Sequence, residues 1–348
     1  MRELETKWGL SLPNRGPLFG LTTVSDIMSA ATVAEESTVF ESVWFGESLI
    51  HKPRLEAIVM LAAVAARTKN VRLGTACMAS FPVRHPALLA IQWATLDQVS
   101  NGRTVLCVCV GGGDQREMKA FGAKREERAS RLVEGIKFLR EMWSDGEVTH
   151  EGRFYDLKGS NIQPKPAQKP CPIWIAVTPK REVTGASGFD RAMRRVVTYA
   201  DGYMVASTGC EPEKFKEYWD AIETIARETG KDLSNFETAI HGMVNINDDK
   251  RAAYEESRFY FDHYYSRGWP PERTLQAWLA HGPPQECASL IQIWLDMGIT
   301  TPILRFTSRD QVGQVRRFID EVLPLLRVSK PSNERLELNG TKTRGGFS

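Results

Sequence analysis

The chain has 348 residues, 42% of them hydrophobic and 25% charged, and carries a net charge of +2. That balance suits a folded chain long enough for one large barrel or two smaller domains, and it gives no basic excess of the kind that nucleic acid or a membrane surface demands. No run reaches transmembrane length and no leader-like apolar segment opens the chain. The six cysteines, Cys77, Cys107, Cys109, Cys171, Cys210 and Cys287, form no CxxC pair and read as reduced thiols of a cytoplasmic protein.

Trp8 to Leu12 alternates into a first strand that stops at Pro13-Asn14. A loop with Pro17 and Gly20 follows, and Ser25 is placed to cap a helix carrying Ile27, Ala30, Ala31 and Ala34. Ser42 to Gly46 is the second strand, ending at Glu47-Ser48, and Leu55, Ile58, Val59 and Ala62 recur at helical spacing after it. Val71 to Met78 is an apolar third strand. Arg84-His85-Pro86 opens a helix that runs to Val99, with Pro86 suited to its first turn. Asn101-Gly102 turns the chain into a fourth strand, Thr104 to Val110, which ends in Gly111-Gly112-Gly113.

Leu132, Ile136, Leu139 and Trp143 mark an amphipathic helix, and Thr149 to Leu157 suits a hairpin in a Gly- and Pro-rich stretch. Strands five to eight are Ile173–Val177, Gly202–Ala206, Ala239–Ile246 and Ile299–Phe306. Helices follow at Phe215 to Ile225, Cys287 to Met297 and Val312 to Leu326. Residues 250–285 are rich in aromatics and read as an insertion before the eighth strand, and 327–348 as a polar tail. Two strands joined by a crossover of more than a dozen residues are parallel, and eight such strands alternating with helices over residues 1–326 indicate one (β/α)8 TIM barrel with insertions. A doubly wound sheet is the competing topology. In either fold the ligand belongs at the carboxyl ends of the strands.

The ordered set Arg72-Leu73-Gly74-Thr75, Arg84-His85-Pro86, Thr95-Leu96-Asp97 and Gly102-Arg103 resembles the bacterial luciferase-like monooxygenase family, whose members use FMN or the deazaflavin F420. The likeness extends through Ser42-Val43-Trp44-Phe45-Gly46, Pro164-Lys165-Pro166, Ile173-Trp174-Ile175 and Ala200-Asp201-Gly202, covering roughly residues 8–326 by domain anatomy. It implies an enzyme in which externally reduced FMN, supplied by a separate reductase, reacts with O2 and oxidises a small organic substrate. The alternatives are F420-dependent hydride transfer, for which Lys180, Arg181, Arg191, Arg194 and Arg195 offer a basic groove, and a non-catalytic flavin-binding protein. The resemblance also implies a homodimer, built through helices near the early strands.

Site residues follow from the resemblance and from the strand ends together. Glu47 stands at the family's acidic position and Ser48 where histidine is common, so both are candidate catalytic residues, with His51 a possible substitute for the missing imidazole. A non-proline cis peptide is implied at Ala76-Cys77, behind the flavin ring. Cys109, Gly111 and Ala176 sit at strand ends where a ring would lie, and Ser187-Gly188 opens a helix whose amino end suits the cofactor phosphate. Val110 stands where luciferase has a phosphate-holding arginine. His241 and Arg305, on strands seven and eight, face either the pocket or the core. No cluster of His and carboxylates has metal-ligand spacing.

Overall fold

The computed structural model describes residues 5–112, 114–206, 209–265 and 267–327. Eight parallel strands close on themselves in the order β1 (Trp8–Leu12), β2 (Phe40–Glu47), β3 (Arg72–Met78), β4 (Thr104–Val108), β7 (Ile173–Ala176), β8 (Gly202–Ala206), β9 (Glu237–Ile246) and β11 (Thr301–Phe306), with β11 returning to pair with β1. The closed ring settles the topology as a (β/α)8 barrel and removes the doubly wound alternative. All eight strands fall where the apolar runs place them. The hairpin of β5 (Val148–Glu151) and β6 (Asp156–Ser160) is antiparallel and stands apart from the barrel.

The outer layer comprises α1 (Val24–Ser37), α2 (Ala57–Ala65), α3 (Pro86–Val99), α5 (Arg128–Met142), α6 (Arg181–Tyr199), α7 (Pro212–Thr229), α10 (Pro284–Asp296) and α11 (Gln311–Arg317). Thr23 caps α1, not Ser25: its hydroxyl accepts from the Asp26 amide at 3.1 Å and the Asp26 carboxylate accepts from the Thr23 amide at 2.9 Å, a reciprocal box that Ser25 cannot make from inside the helix. Several helices and strands have no counterpart in the sequence reading. Among them are α4 (Gln115–Ala120) and, within the 250–285 insertion, α8 (Lys250–Tyr264), α9 (Glu272–Trp278) and β10 (Leu279–Gly282). β9 is ten residues long, and β10 pairs with its last four, from Met243 to Ile246, beyond the point where β8 stops. The insertion is thereby hydrogen-bonded into the barrel wall. Of the expected tail, only Arg327 lies within the described residues.

The interior is layered. At the amino end Arg72 pairs with Glu237 at 2.9 Å, and Thr301 Oγ1 donates to the same carboxylate at 3.1 Å. Above them Trp44 and Trp174 lie 5.3 Å apart among Val105, Cys107, Met204, Ala239 and Ile303. Two glycines make room for the indoles: a Cβ on Gly74 would overlap Trp44, and one on Gly202 would overlap Trp174. The Asp97 and Arg103 sequence signals are structural. Arg103 donates to the Val71 and Thr68 carbonyls at 2.6 and 2.9 Å, satisfying acceptors after α2, and Asp97 accepts from Thr104 Oγ1 at 2.6 Å.

Candidate active site

Most strand residues of the barrel are buried, but at the carboxyl ends of β3, β4, β7 and β8 the small residues Ala76, Cys77, Cys109, Ala176 and Ala206 keep partial exposure. Ala76, Cys77 and Ala176 rest on the tryptophan layer. Together they form an apolar floor open to one side. The Ala76–Cys77 peptide is cis, as the resemblance implies. Gly111 borders the floor with φ at 66°, where a Cβ would overlap the Ala79 carbonyl oxygen. Small side chains and a close backbone are what a flat tricyclic ring requires, so this half of the mouth fits a flavin or deazaflavin. Gly113 lies outside the described residues.

The other half of the mouth, above β1, β9 and β11, is polar. Arg305 is 2% exposed and points inward from β11; its Nη2 donates to Ser11 Oγ at 2.7 Å, and its Nη1 reaches the Tyr265 hydroxyl at 3.3 Å. Ser11 Oγ also lies 3.0 Å from His241 Nε2. Burial, and then the positive charge of Arg305, push the His241 pKa well below its usual value, so the ring is neutral at pH 7. His241 and Arg305, which sequence alone left between core and pocket, are therefore both interior, joined through Ser11.

Glu47 does not face this mouth. Trp44 and Gly46 are the inward positions of β2, so Glu47 points outward by alternation. Its carboxylate accepts from the Ser80 amide at 2.8 Å, the Ser80 hydroxyl at 2.7 Å and Arg84 at 3.0 Å, and Arg84 also pairs with Glu56 at 2.8 Å. Glu47 thereby ties the end of β2 to the loop after β3. Ser48 Oγ accepts from the Lys52 amide at 3.2 Å, which orders the loop after β2. His51 is exposed and pairs with Asp114 at 3.0 Å, outside the barrel. None of the three supplies a free base over the floor.

A family model described as luciferase-like monooxygenase matches residues 6–301. The chain belongs to that family. Among the curated relatives of this luciferase-like protein, an F420-dependent glucose-6-phosphate dehydrogenase from Microbacterium testaceum is 28% identical over 87% of this chain and 94% of its own length. One of the same description from Kineococcus radiotolerans is 26% identical, covering 85% and 91% of the two chains. Among solved structures, an F420-dependent secondary alcohol dehydrogenase in complex with an F420–acetone adduct superposes with a TM-score of 0.75 at 23% identity, over 93% of this chain and 100% of that one. A monooxygenase from Streptomyces bottropensis gives the same TM-score at 21% identity, over 92% and 99%. These superpositions bear on the fold.

In the luciferase-like barrel the helix after β7 carries the expected phosphate position. α6 is broken at Gly185 (φ 68°, ψ 169°), so a second helical segment begins at Ala186-Ser187-Gly188. Ser187 Oγ accepts from Arg191. Of the five cations expected along this face, two are neutralised: Arg181 pairs with Glu217 at 2.7 Å, and Arg194 pairs with Asp190 and Glu228. The other three are Lys180, Arg191 and Arg195, for which no ion pair is found among the described residues.

Two measurable consequences follow from the buried groups. Cys77 Sγ lies 2.7 Å from Cys109 Sγ, and the hydrogen bond between them, with burial, pushes the Cys77 thiol well above its usual pKa. The other four cysteines are at most 2% exposed. Native alkylation at pH 7 followed by mass mapping is expected to label Cys77 and Cys109 slowly and the remaining four not at all; rapid labelling of Cys107 or Cys210 would contradict this packing. His241 has a folded pKa below its unfolded value of about 6.5, so the unfolded state binds the extra proton as pH falls through that value. Its stability contribution is full above pH ~6.5 and is lost below it, by about 1.4 kcal/mol per pH unit. Urea midpoints are expected to fall more steeply from pH 7.5 to 5.5 in the wild type than in His241→Gln, and parallel curves would remove His241 as the cause.

Proposed function

We propose that this protein is an F420-dependent oxidoreductase that interconverts a hydroxyl and a carbonyl on a small organic substrate. The supporting observation is that its relatives, matched over most of both chains, are described as F420-dependent dehydrogenases. When bound, the deazaflavin accepts or gives the hydride. Ala76, Cys77, Cys109, Gly111 and Ala176 would hold its ring, and the amides at Ser187 and Gly188 its phosphate, with Lys180, Arg191 and Arg195 beside them.

The chain's own acid–base work falls to the interior relay in place of the imidazole absent at Ser48. A substrate hydroxyl beside Ser11 would pass its proton to Ser11 Oγ as the Ser11 hydroxyl gives its own to neutral His241 Nε2, while Arg305 Nη2, donating to Ser11 Oγ, holds that hydroxyl in place. The floor and the aromatic wall of the insertion exclude water from that step. The monooxygenase reading, with FMN, O2 and a separate reductase, draws less support: the curated relatives above are described as F420-dependent, and the monooxygenase likeness, at 21% identity, bears on the fold.

We also place the protein in the cytoplasm, in keeping with its six free thiols, and read it as a homodimer. Val59 on α2 and Leu88 and Ile91 on α3 are 67, 57 and 40% exposed on neighbouring helices, an apolar patch suited to a second copy. No helix among the described residues is long and apolar enough to cross a membrane. Fluorescence titration of the purified protein is expected to give a Kd for F420 at least ~10-fold below that for FMN, a difference of about 1.4 kcal/mol. Tighter binding of FMN would restore the monooxygenase reading.

A further inference from the structure

The polar half of the mouth holds more positive charge than the protein itself balances. Besides Arg305, Arg15 from the loop after β1 and Lys52 and Arg54 from the loop after β2 converge there. Arg54 and Arg305 meet across Gly46: a Cβ on that glycine would overlap Arg54 Nη1 and lie 3.4 Å from Arg305 Nη2. The nearby carboxylates Glu47 and Glu56 are taken by Arg84, and among the described residues no carboxylate stands within ion-pair distance of any of the four cations.

Their environment is aromatic instead. Arg305 and Arg54 lie over the Tyr264 ring at 4.9 and 5.8 Å, and Lys52 Nζ lies 5.3 Å from the Tyr265 ring and 5.8 Å from that of Trp269. Burial, with Arg54 and Arg15 adding to it, lowers the Lys52 pKa, the mark of cations held together without an anion. A second, independent observation points to a missing ligand. Arg305 Nε, Arg15 Nε and the Tyr260 hydroxyl are buried without a hydrogen-bond partner in residues that are 2, 8 and 2% exposed. Buried donors are nearly always satisfied, and three orphans around one cationic cluster call for an acceptor.

We propose that Arg15, Lys52, Arg54 and Arg305 form an oxyanion subsite that holds a carboxylate or phosphate carried by the substrate, opposite the cofactor floor. The proposal rests on reading the mouth as the substrate site. Guanidinium groups approaching from two strand ends suit the planar pairing of a carboxylate or phosphate, and the aromatic wall keeps water from screening it. The anion would fix the substrate's far end, so that its reacting carbon lies between Ser11 and the ring floor.

The test is calorimetric titration of the cofactor-free protein with inorganic phosphate and, separately, with acetate at constant ionic strength. Saturable binding of one or both is expected, weakened at least ~10-fold in Arg54→Gln, as loss of a charge-assisted hydrogen bond implies. Arg54 is half-buried, so this variant is expected to melt with the wild type; Lys52→Gln, at the rim, should also weaken binding and gives an independent check. Preference for phosphate assigns a phosphate monoester and equal binding a carboxylate, and either supports the subsite. Absence of saturable binding to the wild type, or undiminished binding in both variants, would overturn it. So would competition between F420 and the small anion, which would give the cluster to the cofactor's acidic tail. Because the first titrations contain no cofactor, failure of the F420 assignment would leave their outcome unchanged.

Discussion

Glu47→Ala is expected to lower the stability of the protein by about 3 kcal/mol, the low end for removing one member of a buried charge pair. The Glu47 side chain is 2% exposed and that of Arg84 14%. Burial works against the Arg84 charge, and Glu47 and then Glu56 outweigh it. Without Glu47 the guanidinium keeps only Glu56, and the Ser80 amide and hydroxyl lose their acceptor. Chemical denaturation measures this directly, and the melting temperature should drop by about 5 °C or more. The fraction that folds should still bind cofactor, because the carboxylate points away from the floor. A variant with unchanged stability and abolished turnover would mean that Glu47 acts at the reacting atoms, as its position in the family pattern first implies.

Ala176→Leu is expected to leave stability nearly unchanged and to weaken cofactor binding by about 10- to 100-fold, the equivalent of ~1.4–2.8 kcal/mol of overpacking at the ring face. Ala176 ends β7 with partial exposure, so a longer side chain extends into the mouth and not into the tryptophan layer. The same change made deeper would unfold the protein; a Cβ on Gly202, for example, meets the Trp174 indole. Fluorescence titration with F420 reads the effect. Wild-type affinity in a folded Ala176→Leu protein would move the ring off this floor.

The barrel was legible because its strands are buried on both faces. Such strands read as uninterrupted apolar runs bounded by turn signals, as by Pro13-Asn14 after β1 and Asn101-Gly102 before β4. β10 was not legible: four residues ending in Gly282-Pro283-Pro284 look like a loop, and only the overhang of β9 makes them a strand. α8 carries a helical stripe in Ala253, Ser257, Tyr260, Phe261 and Tyr264, but the density of aromatics masked its period.

The strand ends direct the reading to the barrel mouth, and Ala76, Cys77, Cys109 and Ala176 stand there with partial exposure. What local reading missed was direction at the end of β2, where one residue separates inward Gly46 from outward Glu47, and the cationic half of the mouth. Arg15, Lys52, Arg54 and Arg305 are up to 290 residues apart by position number, and no spacing rule joins residues that meet only when a barrel closes.

The central claim is hydride chemistry on F420, and turnover without oxygen tests it. Purified protein, oxidised F420 and a panel of small hydroxylated substrates, with and without a carboxylate or phosphate group, would be mixed anaerobically while the cofactor's 420 nm absorbance is followed. Loss of that absorbance with at least one substrate, unaffected by admitting air and slowed in His241→Gln, is the expected result. No bleaching with any substrate, together with substrate-dependent oxygen uptake when reduced FMN is supplied, would contradict it.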